Sequence, residues 1–225
     1  VLLSFEYMPY IAIIGDIVDS RKQKDRKRIQ ERLSSLLHDI NAEYSDVIAS
    51  KFMITLGDEF QGLMYNGAHA VEIVDKIERV MHPVGIRFGI GVGKITTEIN
   101  SNIPLGADGP AYYNARNMID DLKSIEKKKM EAKINMKIKI EDNSELSELI
   151  NTIFSLNTVL KAKWTDRQRE IIDTYLKCNG TQSDAARELG INQSNVQKAL
   201  SNSDFYAYQK SINTVTKILS YIKGA

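Results

Sequence analysis

A chain of 225 residues with 30 Lys and Arg against 29 Asp and Glu can bury a full hydrophobic core, as one large domain or two smaller ones. Its balanced charge names no partner. The single cysteine, Cys178, excludes an internal disulfide framework and suits the cytoplasm. His38, His69 and His82 lack ligand spacing, which speaks against zinc, and no apolar run approaches the roughly 18–20 residues of a membrane span. No membrane partner is expected.

Met8-Pro9 is a candidate start, so the fold reading begins there. Tyr10 to Ile14 predicts a buried strand, and Arg21 to Tyr44 carries Ile29, Leu33, Leu36, Leu37 and Ile40 at helical spacing. Val47 to Leu56 and Glu59 to Tyr65 read as two strands joined by a tight hairpin at Gly57-Asp58. A helix follows from Ala68 to Met81, closed by Pro83. Gly85 to Gly93 is a strand with glycine at alternate positions, a bare face that a helix or ligand can approach closely. After a Gly/Pro loop from Leu105 to Pro110, Ala111 to Lys129 is helical and Lys133 to Ile140 alternates as an outer strand. The order predicts an α+β, ferredoxin-like βαββαβ plan with one added unit, over residues 8–142. A connecting helix is expected over 143–160, and a small all-α domain over 161–225.

From Lys161 onward there are ten Lys or Arg against six Asp or Glu, about +4, while the remainder holds 20 against 23, or −3. A mildly basic tail domain suits nucleic acid. Thr165 to Leu176 predicts a capped amphipathic helix. In Thr181 to Leu200, Ala186 is the small residue at a helix crossing and Gly190 takes a left-handed turn. Leu189, Ile191, Val196 and Leu200 fill a mini-core, and Asn192 caps a second helix. That helix offers Gln193, Ser194, Asn195, Gln197 and Lys198, the amides, hydroxyl and ammonium that read base edges and bind phosphate. The segment resembles the helix-turn-helix of bacterial regulators and of the promoter-reading region of sigma factors. The closing segment, Phe205 to Ile222, either completes the small core or forms a dimer contact.

Two apolar runs end on Gly-Asp, at Gly15-Asp16 and Gly57-Asp58. As neighbouring strands they place two carboxylates at one sheet edge, suited to a Mg²⁺ carrying a phosphorylated ligand. The strand ending in Asp16-Ile17, the hairpin Leu56-Gly57-Asp58-Glu59 and the run Ile86 to Gly93 resemble the catalytic domain of class III nucleotidyl cyclases. That resemblance implies Mg²⁺ (or Mn²⁺) held by Asp16, Asp58 and the Ile17 carbonyl. It implies a nucleoside triphosphate bound around Val18, Asp19, Ser20 and Arg21, with Glu59 and Arg116 nearby, and a homodimer. The glycine-rich strand and the terminal helix are candidate dimer contacts.

Active cyclases carry an Asn and, four residues on, an Arg after the last glycine-rich loop; counted from Gly109 those places hold Tyr113 and Asn117. The whole chain resembles more closely the SatD family, through Tyr10 to Arg21, Gly57 to Gly62 and Gly109 to Arg116. The leading expectation is a cytoplasmic, nucleotide- and metal-binding regulator of transcription that binds DNA. The alternatives are an active nucleotidyl cyclase or other nucleotide-signal synthase, and an interaction protein that binds neither ligand.

Overall fold

In the computed structural model residues 3, 5–23, 25–128 and 134–222 are described. They form two compact units, Val1–Ser155 with Thr214–Ala225, and Leu156–Asn213.

The first unit is a mixed α/β arrangement on a five-stranded sheet. β1 (Tyr10–Ile17) is followed by a short 3-10 turn (Ser20–Lys22) and α1 (Arg26–Glu43); then come β2 (Ile48–Leu56), β3 (Glu59–Met64), α2 (Ala70–Met81), β4 (Ile86–Gly93), α3 (Pro110–Lys128) and β5 (Met136–Ile140). The strand order is β2-β3-β1-β4-β5. β1 runs antiparallel to both its neighbours, and β5 lies parallel to β4 at one edge. Ile11, Ala12, Ile13 and Ile14 are all buried, as a central strand covered on both faces requires. Ala12 and Ile14 pack with Ala111, Ala115 and Ile119 of α3; the odd-numbered residues of β1 therefore face the other side of the sheet.

The bare face of β4 is occupied by a helix. A Cβ added at Gly91 would lie 2.0 Å from the Ala111 carbonyl oxygen, and one at Gly89 would lie 2.2 Å from that of Ala115. The glycines let the α3 backbone settle onto the strand, so this face is not the dimer contact the sequence offered. Gly15, directly opposite Phe60 in the register, makes room in the same way for the Phe60 ring.

Several element boundaries differ from the sequence reading. α1 starts at Arg26 rather than near Arg21, because Asp19 is left-handed (φ 51°) and a 3-10 turn intervenes. The start of α1 is capped by the Asp25 side chain, which accepts from the Arg28 amide at 3.3 Å. α2 begins at Ala70. The expected helix end at Lys129 and strand start at Lys133 lie outside the described residues.

α4 (Ser144–Ala162) follows the sheet. Its first part closes the outer edge of β5 with side chains. Asn151 Oδ1 accepts from the Ile138 amide at 2.7 Å, its Nδ2 donates to the Ile138 carbonyl at 2.9 Å, and Ser147 Oγ accepts from the Ile140 amide at 2.9 Å. An open strand edge is thereby satisfied without another strand.

The second unit holds α5 (Asp166–Lys177), α6 (Gln182–Leu189), α7 (Gln193–Asn202) and the first part of α8 (Phe205–Leu219). α5 opens on a capping box formed by Thr165 and Gln168. Val196, Leu200 and Ala186 are buried in one cluster with Trp164, Tyr175, Phe205 and Tyr208. Trp164 meets Tyr208 edge to face with ring centroids 5.1 Å apart, and its Nε1 donates to the Ser203 carbonyl at 2.7 Å.

The closing segment does two jobs. Tyr208 and Ile212 join the helical cluster. Leu219 lies against Gly67, whose amide donates to the Ile222 carbonyl at 3.2 Å within the first unit. Among the described residues no helix is long and apolar enough to cross a membrane.

Candidate functional site

Across three strands one row of side chains carries charge. Asp16 on β1 stands opposite Glu59 on β3 and opposite Arg87 on β4. Paired residues share a sheet face, and here it is the face under α3. Two carboxylates side by side repel, and both are almost fully buried, Asp16 at 6% and Glu59 at 9% exposure. Burial of such charges requires partners, and α3 and β4 supply them.

Arg116 forms a two-pronged pair with Glu59, with one bond to Oε1 at 2.6 Å and another to Oε2. About two turns further along the same face of α3, Lys123 Nζ sits 2.9 Å from Asp16 Oδ1. Arg87 Nη1 donates to Asp16 Oδ2 at 2.5 Å while its Nε donates to Glu126 at 2.9 Å. Burial works against the Arg87 charge, but the hydrogen bonds to Glu126 and Asp16 outweigh it and hold its pKa above the ordinary value. Arg116 is likewise raised, first by its bond to Glu59.

Asp58 has different surroundings. Its carbonyl accepts from the Ile17 amide at 3.0 Å, which brings the two Gly-Asp turns together through the backbone. Its carboxylate accepts from the Ser20 hydroxyl. Ile17, Ser20 and Asp58 line a small crevice with Gln23, Arg26 and Gln30. Gly57 makes the hairpin turn at φ 56°, the left-handed region glycine tolerates.

Asp16, Asp58 and the Ile17 carbonyl are all oxygen donors, the chemistry a hard divalent cation takes. The two carboxylates are nevertheless committed to different partners, and both oxygens of Asp16 already meet cations. Among the described residues no group of three or more His, Cys, Asp or Glu could hold a metal.

The residues expected near a triphosphate are spread around this turn. The Val18 amide is taken by the Gly85 carbonyl at 2.9 Å. Asp19 is exposed and pairs with Lys22 at 3.0 Å; Ser20 is buried and Arg21 exposed. The long helix N-terminus lies beyond them, at Asp25. Asn114 is buried and donates to the Val92 carbonyl at 3.0 Å, so it pins α3 to β4. Tyr113 is exposed and donates to Asp108 at 2.5 Å.

Sequence reasoning placed Glu59 near the phosphates; in the structure it belongs to the buried row, as does Arg87. It missed Lys123 and Glu126 altogether. The signal was present: Arg116 and Lys123 are seven residues apart, so they share one face of a helix.

In the second unit α6 ends on a Schellman turn. Gly190 takes φ 63°, the Ile191 amide donates to the Ala186 carbonyl at 3.0 Å, and the Gly190 amide to that of Arg187 at 3.3 Å. Asn192 stands at the N-cap of α7 but its side chain makes no cap bond; its carbonyl accepts from Asn195 at 2.9 Å. Val196 and Leu200 bury one face. Gln193, Ser194, Asn195, Gln197 and Lys198 are all exposed. Gln193 reaches Gln182 of α6, which donates to the Tyr206 hydroxyl at 2.9 Å.

The chain matches the SatD family over residues 10–219. No curated protein matches it. Among solved structures it is similar to the guanylyl cyclase domain of a rhodopsin–guanylyl cyclase fusion protein from the aquatic fungus Blastocladiella emersonii, at 17% identity, over 49% of this chain and 72% of that one, with a TM-score of 0.39. A bacterial light-regulated adenylyl cyclase is similar at 10% identity over 70% and 81% of the two chains, TM-score 0.40. A regulator of polyketide synthase expression from Bifidobacterium adolescentis is similar at 11% identity over 94% and 85%, TM-score 0.27.

Proposed function

We propose that this chain, which belongs to the SatD family, is a DNA-binding regulator of transcription whose sheet domain binds a Mg²⁺ (or Mn²⁺) nucleotide. The observation that carries the DNA half is α7. Its five polar residues are exposed together at the start of a helix, and a Schellman turn against α6 fixes its direction. In this reading the second unit, Leu156–Asn213, is a helix-turn-helix domain shorter at its end than the expected 161–225, and α7 lies in the major groove. Gln193, Asn195 and Gln197 meet base edges there, while Ser194 and Lys198 meet phosphate. Two copies on one operator would space their half-sites about 34 Å apart.

The nucleotide half is supported by the bond from the Ile17 amide to the Asp58 carbonyl, which joins both Gly-Asp turns at one end of the sheet. Asp16, Ile17 and Asp58 would hold the cation. Ser20 and Arg21 would face the phosphates, with Glu59 and Arg116 setting the charge beside them. Bound nucleotide changes DNA affinity to the extent that it prefers one arrangement of the protein over another.

Selection of duplex DNA from a random pool by the full chain tests the first half. An enriched motif whose binding weakens about tenfold on Lys198→Ala or Gln197→Ala, with melting unchanged, is the expected result; no enrichment rejects it. Thermal shift with the four nucleoside triphosphates and Mg²⁺ tests the second. At a hundred times its dissociation constant a ligand adds about 2.7 kcal/mol, a shift that Asp58→Ala must abolish. Conversion of a triphosphate to a cyclic or linear product in the same tubes would turn the assignment to an enzyme.

A further inference from the structure

Three polar residues from three helices of the second unit form one chain of hydrogen bonds. Gln193, the first residue of α7, donates from Nε2 to Oε1 of Gln182, the first residue of α6, at 3.5 Å. Gln182 in turn donates from its own Nε2 to the Tyr206 hydroxyl at 2.9 Å. Tyr206 follows Phe205, which is buried in the core of the unit, and the two rings meet with centroids 6.0 Å apart. The hydroxyl is therefore set by the α8 backbone at a residue next to the core, and the two amides hang from it. Turning the Gln182 amide over would put its NH2 against the NH2 of Gln193, so the chain of bonds fixes which way each amide faces.

We infer that Gln193 reads an adenine in the major groove and that Gln182, anchored by Tyr206, is the positioning residue that sets its amide for that base. The inference rests on the reading of the second unit as a DNA-binding domain. Gln193 is exposed, and its bond to Gln182 uses one of its two amide hydrogens. That leaves Oε1 as an acceptor and one N–H as a donor. Adenine offers the complementary pair in the major groove, the N6 hydrogen and the N7 lone pair, whereas guanine offers two acceptors. A free glutamine side chain gives up rotamer freedom to meet a base edge and can turn its amide to suit either purine. One already held by a neighbour gives up less and is kept to one polarity. The 3.5 Å separation is long for such a bond, so it steers the amide and leaves it room to settle on the base.

The experiment selects duplex DNA from a random pool with the full chain, then measures binding to the enriched site with every base pair placed at each position in turn. The wild type, Gln193→Ala, Gln182→Leu, Gln182→Glu and Tyr206→Phe are compared. Gln193→Ala marks the position that Gln193 reads, as the one whose base preference it removes. There the wild type is expected to prefer adenine over guanine by about tenfold. Gln182→Leu is expected to cut that preference at least about threefold, and Tyr206→Phe to lower it too, with the other positions and the melting temperature unchanged. Gln182→Glu keeps an acceptor for Gln193 and takes the Tyr206 hydrogen. The preference then survives, while the added charge weakens binding to every sequence alike. A preference for another base at that position, or an adenine preference untouched by Gln182→Leu, overturns the inference and leaves the DNA reading standing. So does a Gln182→Leu variant that weakens discrimination at all positions equally, which is what a loosened turn between helices would do. No enriched motif overturns the DNA reading and the inference together.

Discussion

The sheet edge and the face of α7 are both crowded with polar side chains, and they use them in opposite ways. At the sheet edge each charge is matched within the protein: Glu59 by Arg116, Asp16 by Arg87 and Lys123, Arg87 also by Glu126. On α7 the side chains point to water, and Lys198 has no ion-pair partner among the described residues. Charges under a helix must be neutralised where they lie, because desolvation is costly. Those on an open helix face are left for whatever binds there. Substitutions at the sheet edge should therefore register first as stability, and those on α7 first as binding.

The sharpest break in that contrast comes from removing the helix that supplies Arg116 and Lys123. Gly91→Val drives a side chain into the α3 backbone, where even a Cβ would approach the Ala111 carbonyl oxygen to 2.0 Å. The cost is expected to exceed about 4 kcal/mol; chemical denaturation measures it, and a variant that melts like wild type would show that α3 does not sit on β4. Arg87→Met comes next. It removes the buried partner of Asp16 Oδ2, leaving only Lys123 on Oδ1, and is expected to cost about 3 kcal/mol, whereas Lys198→Ala should stay within about 0.5 kcal/mol. Equal losses in the two would erase the distinction between the regions.

Within the helical unit, Gly190→Val forces a β-branched residue to φ 63°. A loss of about 1–2 kcal/mol of unfolding free energy is expected, read from urea denaturation. If stability is unchanged, the left-handed Schellman turn does not fix α7.

The smallest effect belongs to Tyr112. Its hydroxyl is buried with no hydrogen-bond partner among the described residues, and burial pushes its pKa above the ordinary value of 10.0. The raised pKa means the neutral form is favoured in the fold. This contribution is complete below about pH 10 and is lost as pH rises above it. Tyr112→Phe should be neutral to slightly stabilising at pH 7, by at most about 1 kcal/mol, and should blunt the alkaline loss. A clear destabilisation at pH 7 would mean the hydroxyl has a partner.

Much of this was legible before any tertiary structure. The alternation of apolar runs and amphipathic stretches placed the five strands in order, because period 2 and period 3.6 write themselves directly into the residue pattern. Ala186, Gly190, Val196 and Leu200 announced a tight turn between two helices, since their roles depend on residues within fifteen positions of one another. The start of α1 was less legible: Ile29 and Leu33 give the period, but the left-handed Asp19 that delays the helix has no periodic signature.

Two functions of single residues were invisible to the sequence. The glycines of β4 read equally well as a ligand cradle, a dimer face or a helix seat, and the close approach of Ala111 and Ala115 decided for the helix. Leu219 and Ile222 read as part of the small helical core, yet they pack by Gly67, some 150 positions earlier in the chain. Local periodicity says that a face is apolar and is silent about what covers it.

The sequence by itself determined the elements, the two Gly-Asp turns and the polar face of α7, because each is set by neighbours along the chain. The tertiary structure alone decided that Asp16 lies between Glu59 and Arg87 with Lys123 above it. Those groups are brought together by strand register and by the docking of α3, and the balance of buried charge exists only once the strands and the helix have met.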